Sequence, residues 1–366
     1  MLPTLLRRVR RGAALSAVAA LAACDLPSEM PILQQTWVVP ADSVTVGAAD
    51  LVPDGVTVFD GAVQTFEVSS PTINIATTLG EVCGQPECQV PGTVTAPTPA
   101  FRSADDLLAA TLAFPAGIAS ATVIDGAFAF DVTNNLGFDP LRPNGNVAPY
   151  GELIITISSG TTTRTDTITG AMQAMPNGAT SSYFLLLPAG TYTSSVEIAL
   201  VFDVPAGQPA DMNASNGLAI DASLDLVSLS QASIAVVGEV INTTPSDFDL
   251  EGVDFGDEVE SGALLLSIDN PLTATADLNV ELAAPAQNGE GAVLISRAIT
   301  IPAQPTSTAE ISLSAAEIRS LLGKTGVTIS VSGTVNGTGA GNTISLTPDA
   351  RITVRSQLSL TLNVGA

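Results

Sequence analysis

Apolar residues recur at every second position over long stretches of this chain. Val196, Ile198, Leu200, Phe202 and Val204 alternate with Glu197, Ala199, Val201 and Asp203. Val327, Ile329 and Val331 alternate with Thr328 and Ser330, and Ile352, Val354, Leu358, Leu360, Leu362 and Val364 share one parity near the end. A period of two with one polar side predicts antiparallel strands packed on a single face. Turn signals separate the runs: Pro143-Asn144-Gly145, Pro176-Asn177-Gly178, Pro188-Ala189-Gly190, Pro205-Ala206-Gly207 and Asn336-Gly337. Short strands so punctuated predict an all-β fold, with sandwiches or small barrels favoured over an α/β sheet. Rings are few, so small aliphatic side chains are expected to fill the cores. One short helix is expected. Ser314 and Glu317 make a capping box, Leu313 and Ile318 a hydrophobic staple, and Gly323 the stop after Leu321 and Leu322.

The pattern also repeats on a longer scale. Residues 125–132 followed by Asn134, Asn135 and Leu136 return as residues 261–268 followed by Asn270, Pro271 and Leu272, 136 positions later. Residues 167–170 correspond to 298–301, and 196–200 to 327–331, both 131 positions apart. Correspondences kept in order at a nearly constant offset read as a tandem duplication. We place a β-sandwich copy 1 at 104–231 and a copy 2, carrying the helix, at 246–366. The front segment, 25–103, carries its own strand signals at Val44, Val46, Val56, Val58, Phe66 and Val68. It reads as a small third β unit, with residues 92–99 as an extended linker because Pro97 and Pro99 leave no face to pack.

The first 24 residues divide differently. Arg7, Arg8, Arg10 and Arg11 form a basic head, and residues 12–23 are small or apolar. Twelve helical residues span about 18 Å, short of the roughly 30 Å of a hydrocarbon core, so this segment is no membrane span. It ends in Leu21, Ala22, Ala23 and Cys24, which resembles a bacterial lipobox. That resemblance implies a lipoprotein signal peptide at 1–24 and a membrane anchor through lipid on Cys24. The protein would then lie in the cell envelope, at the outer membrane or cell surface rather than the inner membrane. An exported chain meets an oxidising compartment, and Cys83 and Cys88, with Gly84 and Pro86 between them, are placed for a short disulfide.

Composition narrows the chemistry. The chain has no histidine, which removes imidazole acid–base work, His-dependent nucleophiles and imidazole metal sites. It has one lysine, Lys324, behind the glycine that ends the helix. We expect no catalytic residues and no cofactor. Without its four leader arginines the chain keeps 8 basic residues against 36 acidic ones, a net charge of −28. Such a surface repels nucleic acid and favours no polyanionic partner. One acidic stretch has two readings. Asp247, Asp249 and Glu251, with Gly252 next and Glu258 in twelfth place, match a calcium-binding loop in outline. Phe248 and Leu250 alternate with the same acids as in a strand.

Residues 264–271, running into Asn270-Pro271, then Ile301-Pro302-Ala303, the capped helix, and residues 331–335 occur in a suggestive order. They resemble the water-stress and hypersensitive-response (WHy) β-sandwich of late-embryogenesis-abundant proteins, over roughly 250–350. The resemblance implies an immunoglobulin-like sandwich and a structural role, with no catalytic residues to carry over. The sequence thus predicts tandem antiparallel sandwiches on a lipid anchor, acting as a non-catalytic binding or structural module with an envelope protein or glycan as partner. The alternatives are a carboxylate-dependent hydrolase of envelope glycans and a calcium-dependent adhesin.

Overall fold

A computed structural model describes residues 33–364, apart from 42, 90, 106, 244, 249, 251–254, 256–257 and 285–291. Cys24 lies outside the described residues. The front segment supplies β1 (Leu33–Pro40), β2 (Val44–Gly47), β3 (Val56–Asp60), β4 (Gln64–Val68), β5 (Ile73–Thr78), helix α1 (Leu79–Cys83) and β6 (Val94–Pro97). The next stretch holds β7 (Phe101–Arg102), β8 (Ala109–Ala113), β9 (Ile118–Asn134), β10 (Glu152–Ser159) and β11 (Thr162–Thr169). It continues with β12 (Ala179–Leu186), β13 (Gly190–Thr193), β14 (Ser195–Val204), β15 (Pro209–Met212) and β16 (Gly217–Ala235). The last third holds β17 (Glu239–Asn242), β18 (Ser246–Phe248), β19 (Val259–Asp269), β20 (Thr275–Ala284), β21 (Ala292–Ile301) and β22 (Thr306–Ser314). Helix α2 (Ala315–Leu321), β23 (Val327–Asn336), β24 (Thr343–Leu346) and β25 (Arg351–Val364) complete it. The fold is all-β, and every strand pair among the described residues is antiparallel.

The two sandwiches share one wiring. In the first, β12-β9-β16 faces β11-β10-β14, with β7 and β8 on the outer side of β14. In the second, β22-β19-β25 faces β21-β20-β23, with β17 and β18 on the outer side of β23. Inward side chains correspond as well: Phe128, Phe130 and Val132 of β9 stand where Leu264, Leu266 and Ile268 stand in β19, all buried. Alternation along each strand is what places them there, since successive side chains leave opposite faces. The expected short helix is α2. Ser314 Oγ accepts from the Glu317 amide at 3.3 Å and Glu317 Oε2 accepts from the Ser314 amide at 2.9 Å. Ile318 and Leu321 are buried between the sheets.

Three expectations need correction. The front segment forms no third unit. β1 and β2 pair with β25 of the second sandwich, while β4 and β5 pair with β16 of the first and β3 extends β4. Residues 92–99 are no free linker, because β6 pairs with β15 in a two-stranded ribbon, Pro97 opposite Pro209. The cores also differ in filling. Nine buried rings (Phe66, Phe101, Phe114, Phe128, Phe130, Phe138, Phe202, Tyr183 and Tyr192) all serve the first sandwich, and Phe128, Phe130 and Tyr183 stack at 5.1 Å spacings. Among the described side chains the second core is aliphatic.

The sandwiches are joined by strands as well as by a connection. β24 leaves the second copy to pair with the end of β16, and the Val236 amide donates to Asn342 O at 2.9 Å. The Ala48 amide, just past β2, donates to Ala350 O at 2.9 Å. One continuous set of buried apolar residues runs through both copies. The Asn270 end of the second sandwich lies at this junction, near β2 and β17, which supply Val44, Val46 and Ile241 to its core. The matching Asn134 end of the first sandwich is at the opposite extremity.

A loop-built cap as candidate functional site

That free end carries what the duplication does not explain. Register pairs Leu153 with Phe202 in the first copy and Leu278 with Gly333 in the second, so Leu153 and Leu278 are equivalent. From Asn134 to Leu153 the chain takes 19 steps; from Asn270 to Leu278 it takes 8. The first copy therefore holds 11 extra residues between β9 and β10. The second copy makes up part of the difference, since Leu153 to Ile168 takes 15 steps and Leu278 to Ile299 takes 21. The two opposed length changes, 11 and 6 residues, partly cancel, and this is why the offset read from the sequence shifts by only 5.

The inserted loop is anchored from within. Asn134 is fully buried, and its Nδ2 donates to Phe138 O at 2.9 Å and Met175 O at 2.7 Å, while Oδ1 accepts from the Leu136 amide at 2.9 Å. Asp139 takes up three further amides, those of Leu141, Arg142 and Met175, at 2.9, 3.0 and 2.9 Å. Arg142 reaches across to Gly170 O at 2.6 Å and to Asn146 at 2.9 Å. Backbone groups in a buried turn need such partners, and here side chains supply them. Burial pushes the Tyr183 phenol beneath the loop up to about 12, with the Asp139 charge adding to the shift. Gly137, at φ +96°, passes so close to Asp211 O that a Cβ would stand 2.1 Å from it; only glycine fits.

The front segment completes the cap. Thr78 caps α1 and Glu81 closes the box, its carboxylate accepting from the Thr78 amide at 2.9 Å. Those hydrogen bonds, the Thr78 backbone bond first, hold the Glu81 carboxyl below the ordinary value. Gly84 ends the helix in the left-handed region, and Cys83 and Cys88 form the disulfide that follows, both buried, with Cα atoms 6.2 Å apart. The Gly80 amide donates to Ala214 O and Gln89 Nε2 to Gly80 O, so the staple is tied to the β15–β16 connection. The exposed side chains include Val147 and Met172, with Glu87 and Asp211 among the acids. α1 escaped the sequence reading, although Thr78-x-x-Glu81 carries the same signature that revealed α2.

The other sequence candidates are not brought together. Asp247 lies in β18 opposite Thr328 and Glu258 is exposed before β19, while Asp249 and Glu251 are outside the described residues. Of that stretch only Ser246–Phe248 is strand, and no group of three or more metal-ligating residues occurs among the described residues. Two carboxylates do face each other. Asp131 and Asp221 are direct partners across β9 and β16, which places their Cβ atoms about 5 Å apart. Both are exposed on the outer face of the sheet beside Asn74, which donates to Asp221 at 2.9 Å. At the open edge of each sandwich sits an arginine: Arg164 donates to Leu186 O at 3.0 Å and pairs with Asp166, and Arg297 pairs with Glu317 of the α2 capping box.

Fold and cap together define a tandem β-sandwich protein with one elaborated end. No known family matches the chain, and no curated protein does. Among solved structures it is similar to a protein of Parabacteroides distasonis described as secreted, at 10% identity and a TM-score of 0.32, over 89% of this chain and 99% of that one. It is also similar to the CBM22 tandem domain of Paenibacillus barcinonensis Xyn10C, at 11% identity and a TM-score of 0.18, over 80% and 98%. A third likeness is the infectious bursal disease virus VP2 particle, at 12% identity and a TM-score of 0.21, over 92% and 74%. Likenesses this distant carry no functional property to this chain. No described helix is long and apolar enough to cross a membrane.

Proposed function

We propose that this is a lipid-anchored protein of the cell envelope, held through Cys24, whose tandem sandwiches form a non-catalytic binding or structural module. One observation carries the reading: the two copies share their wiring, and elaboration is concentrated on the free end of the first. There an inserted loop, a disulfide turn and a strand ribbon make one continuous surface. Loops fixed on a sandwich end are a common place for recognition, because the scaffold holds them at low entropic cost. The partner is an envelope protein or glycan, as the acidic surface disfavours nucleic acid. The hydrolase reading is weaker, because the facing carboxylates Asp131 and Asp221 are both exposed to solvent, which does not shield a reacting bond.

The test uses the whole protein and a loop-exchange variant in which residues 135–152 are replaced by the short connection 271–277. Both are used to capture partners from envelope extract, with folding checked by circular dichroism. Capture by the parent and its loss in a folded variant is the expected result. Equal capture by both would remove the cap from the function.

A further inference from the structure

The described chain begins and ends at the same place. Leu33 pairs with Val364, and the register continues through Trp37 opposite Leu360 to Pro40 opposite Gln357. From that end β25 runs back to Arg351, where β2 and β24 lead to the first sandwich. β16 then runs from the junction at Ala235 to Gly217, beside the cap. The 13 residue steps of β25 span about 43 Å and the 18 steps of β16 about 60 Å, at roughly 3.3 Å per residue. Leu33 and the cap therefore lie at the strand ends that point away from the junction. Between Cys24 and Leu33 there are nine steps, at most about 32 Å of fully extended chain.

Side chains at the Leu33 end suit a lipid boundary. Leu33 and Val38 are exposed, and Trp37 is half exposed while its ring tilts against Phe255 at 5.3 Å. An indole with one side packed and one side free belongs where apolar and wet surroundings meet. Acidic groups share this end: Glu258 is exposed, and Glu260 accepts from Gln34 at 3.1 Å. With a net charge of −28 over the chain after the leader, the molecule as a whole is repelled by anionic head groups, which opposes broad contact with them.

We propose that the bilayer faces the Leu33–Val364 end of the second sandwich, with the first sandwich and its cap held away from it. This rests on the Cys24 anchor proposed above. The orientation makes the elaborated end the one presented to whatever lies beyond the membrane surface, and it gives the plainer second copy the role of a spacer.

Trp37 is the chain's one tryptophan, so it reports its own depth. The protein is bound to phosphatidylethanolamine–phosphatidylglycerol vesicles containing a lipid spin-labelled at the head group, and tryptophan quenching is read. A second protein, Trp37→Phe with Met172→Trp, moves the reporter to the exposed cap. Two preparations are compared: the protein as purified from membranes, and a chain from residue 24 coupled to a maleimide lipid at Cys24, the thiol left free by the disulfide. Quenching at 37 with none at 172 is expected in both. Equal quenching at both sites means the molecule lies flat and overturns the proposal, as does a vesicle-bound protein quenched at neither. Intact mass of the membrane preparation separates the premise: a missing acyl mass defeats the anchor, while the coupled chain still reports the geometry.

Discussion

Asn134 and Asn270 show how much one side chain can decide. Both are fully buried at the end of an equivalent strand, and both donate Nδ2 to the carbonyl four residues on, Phe138 at 2.9 Å and Ala274 at 2.8 Å. They differ on the acceptor side. Asn134 Oδ1 receives the Leu136 amide, whereas Asn270 Oδ1 has no partner among the described residues and lies beside a small apolar cavity of about 20 Å³. Asn134→Ala strands two carbonyls and an amide, so it should cost about 3 kcal/mol of stability; Asn270→Ala, with weaker ties, should cost about 1–2. Urea unfolding of the two variants checks the order, and an equal loss would contradict it. The sequence exposed both asparagines as members of a repeat. It could not show that they are buried, because a polar residue beside a turn signal reads as solvated until its partners, such as Met175 at 41 residues' distance, are known.

Elements were readable where their signals are local. The period-two strands and α2 followed from alternation and from a four-residue cap signature. α1 carries the same signature in Thr78 and Glu81 but is a single turn, closed by Gly84 and a disulfide, and offers no apolar periodicity to confirm it. Residues 92–99 read as a linker because prolines argue against strands, yet an edge ribbon needs few amide donors from them. Removing a cap hydroxyl tests both helices: Thr78→Ala and Ser314→Ala should each lose about 1 kcal/mol, seen as a lower unfolding midpoint. The carboxyls of Glu81 and Glu317 are both held below the usual 4.5, chiefly by the Thr78 and Ser314 amides. Because the folded pKa is the lower one, their contribution is complete above the unfolded value of 4.5 and is lost as pH falls from there through the folded pKa. Melting of Glu81→Gln and Glu317→Gln proteins should therefore be less sensitive to acid than that of the parent. The disulfide closes a short loop, so its removal by Cys83→Ala with Cys88→Ala should cost about 2 kcal/mol and loosen the cap first, as amide exchange over 79–100 would show.

At the scale of the whole molecule, the arrangement is set by pairings that no local signal encodes. The front segment has ordinary strand patterns, and nothing in them tells that β1 and β2 complete the second sandwich while β3–β5 extend the first. The duplication was legible; the insertion that distinguishes the copies was hidden by a compensating length change elsewhere. With strands shared across the junction and one continuous core, the two sandwiches should unfold in a single calorimetric transition, and two separated transitions would speak against that coupling. The whole account, from shared strands to the placement of the base and the cap, depends on β1 lying against the final strand. A soluble chain beginning at residue 25, carrying Val38→Cys and Ser359→Cys, tests this directly by mild oxidation and peptide mass mapping. Those positions are partners in the register, so a near-complete link between the N-terminal and C-terminal peptides is predicted. Two free thiols in a folded protein would contradict it.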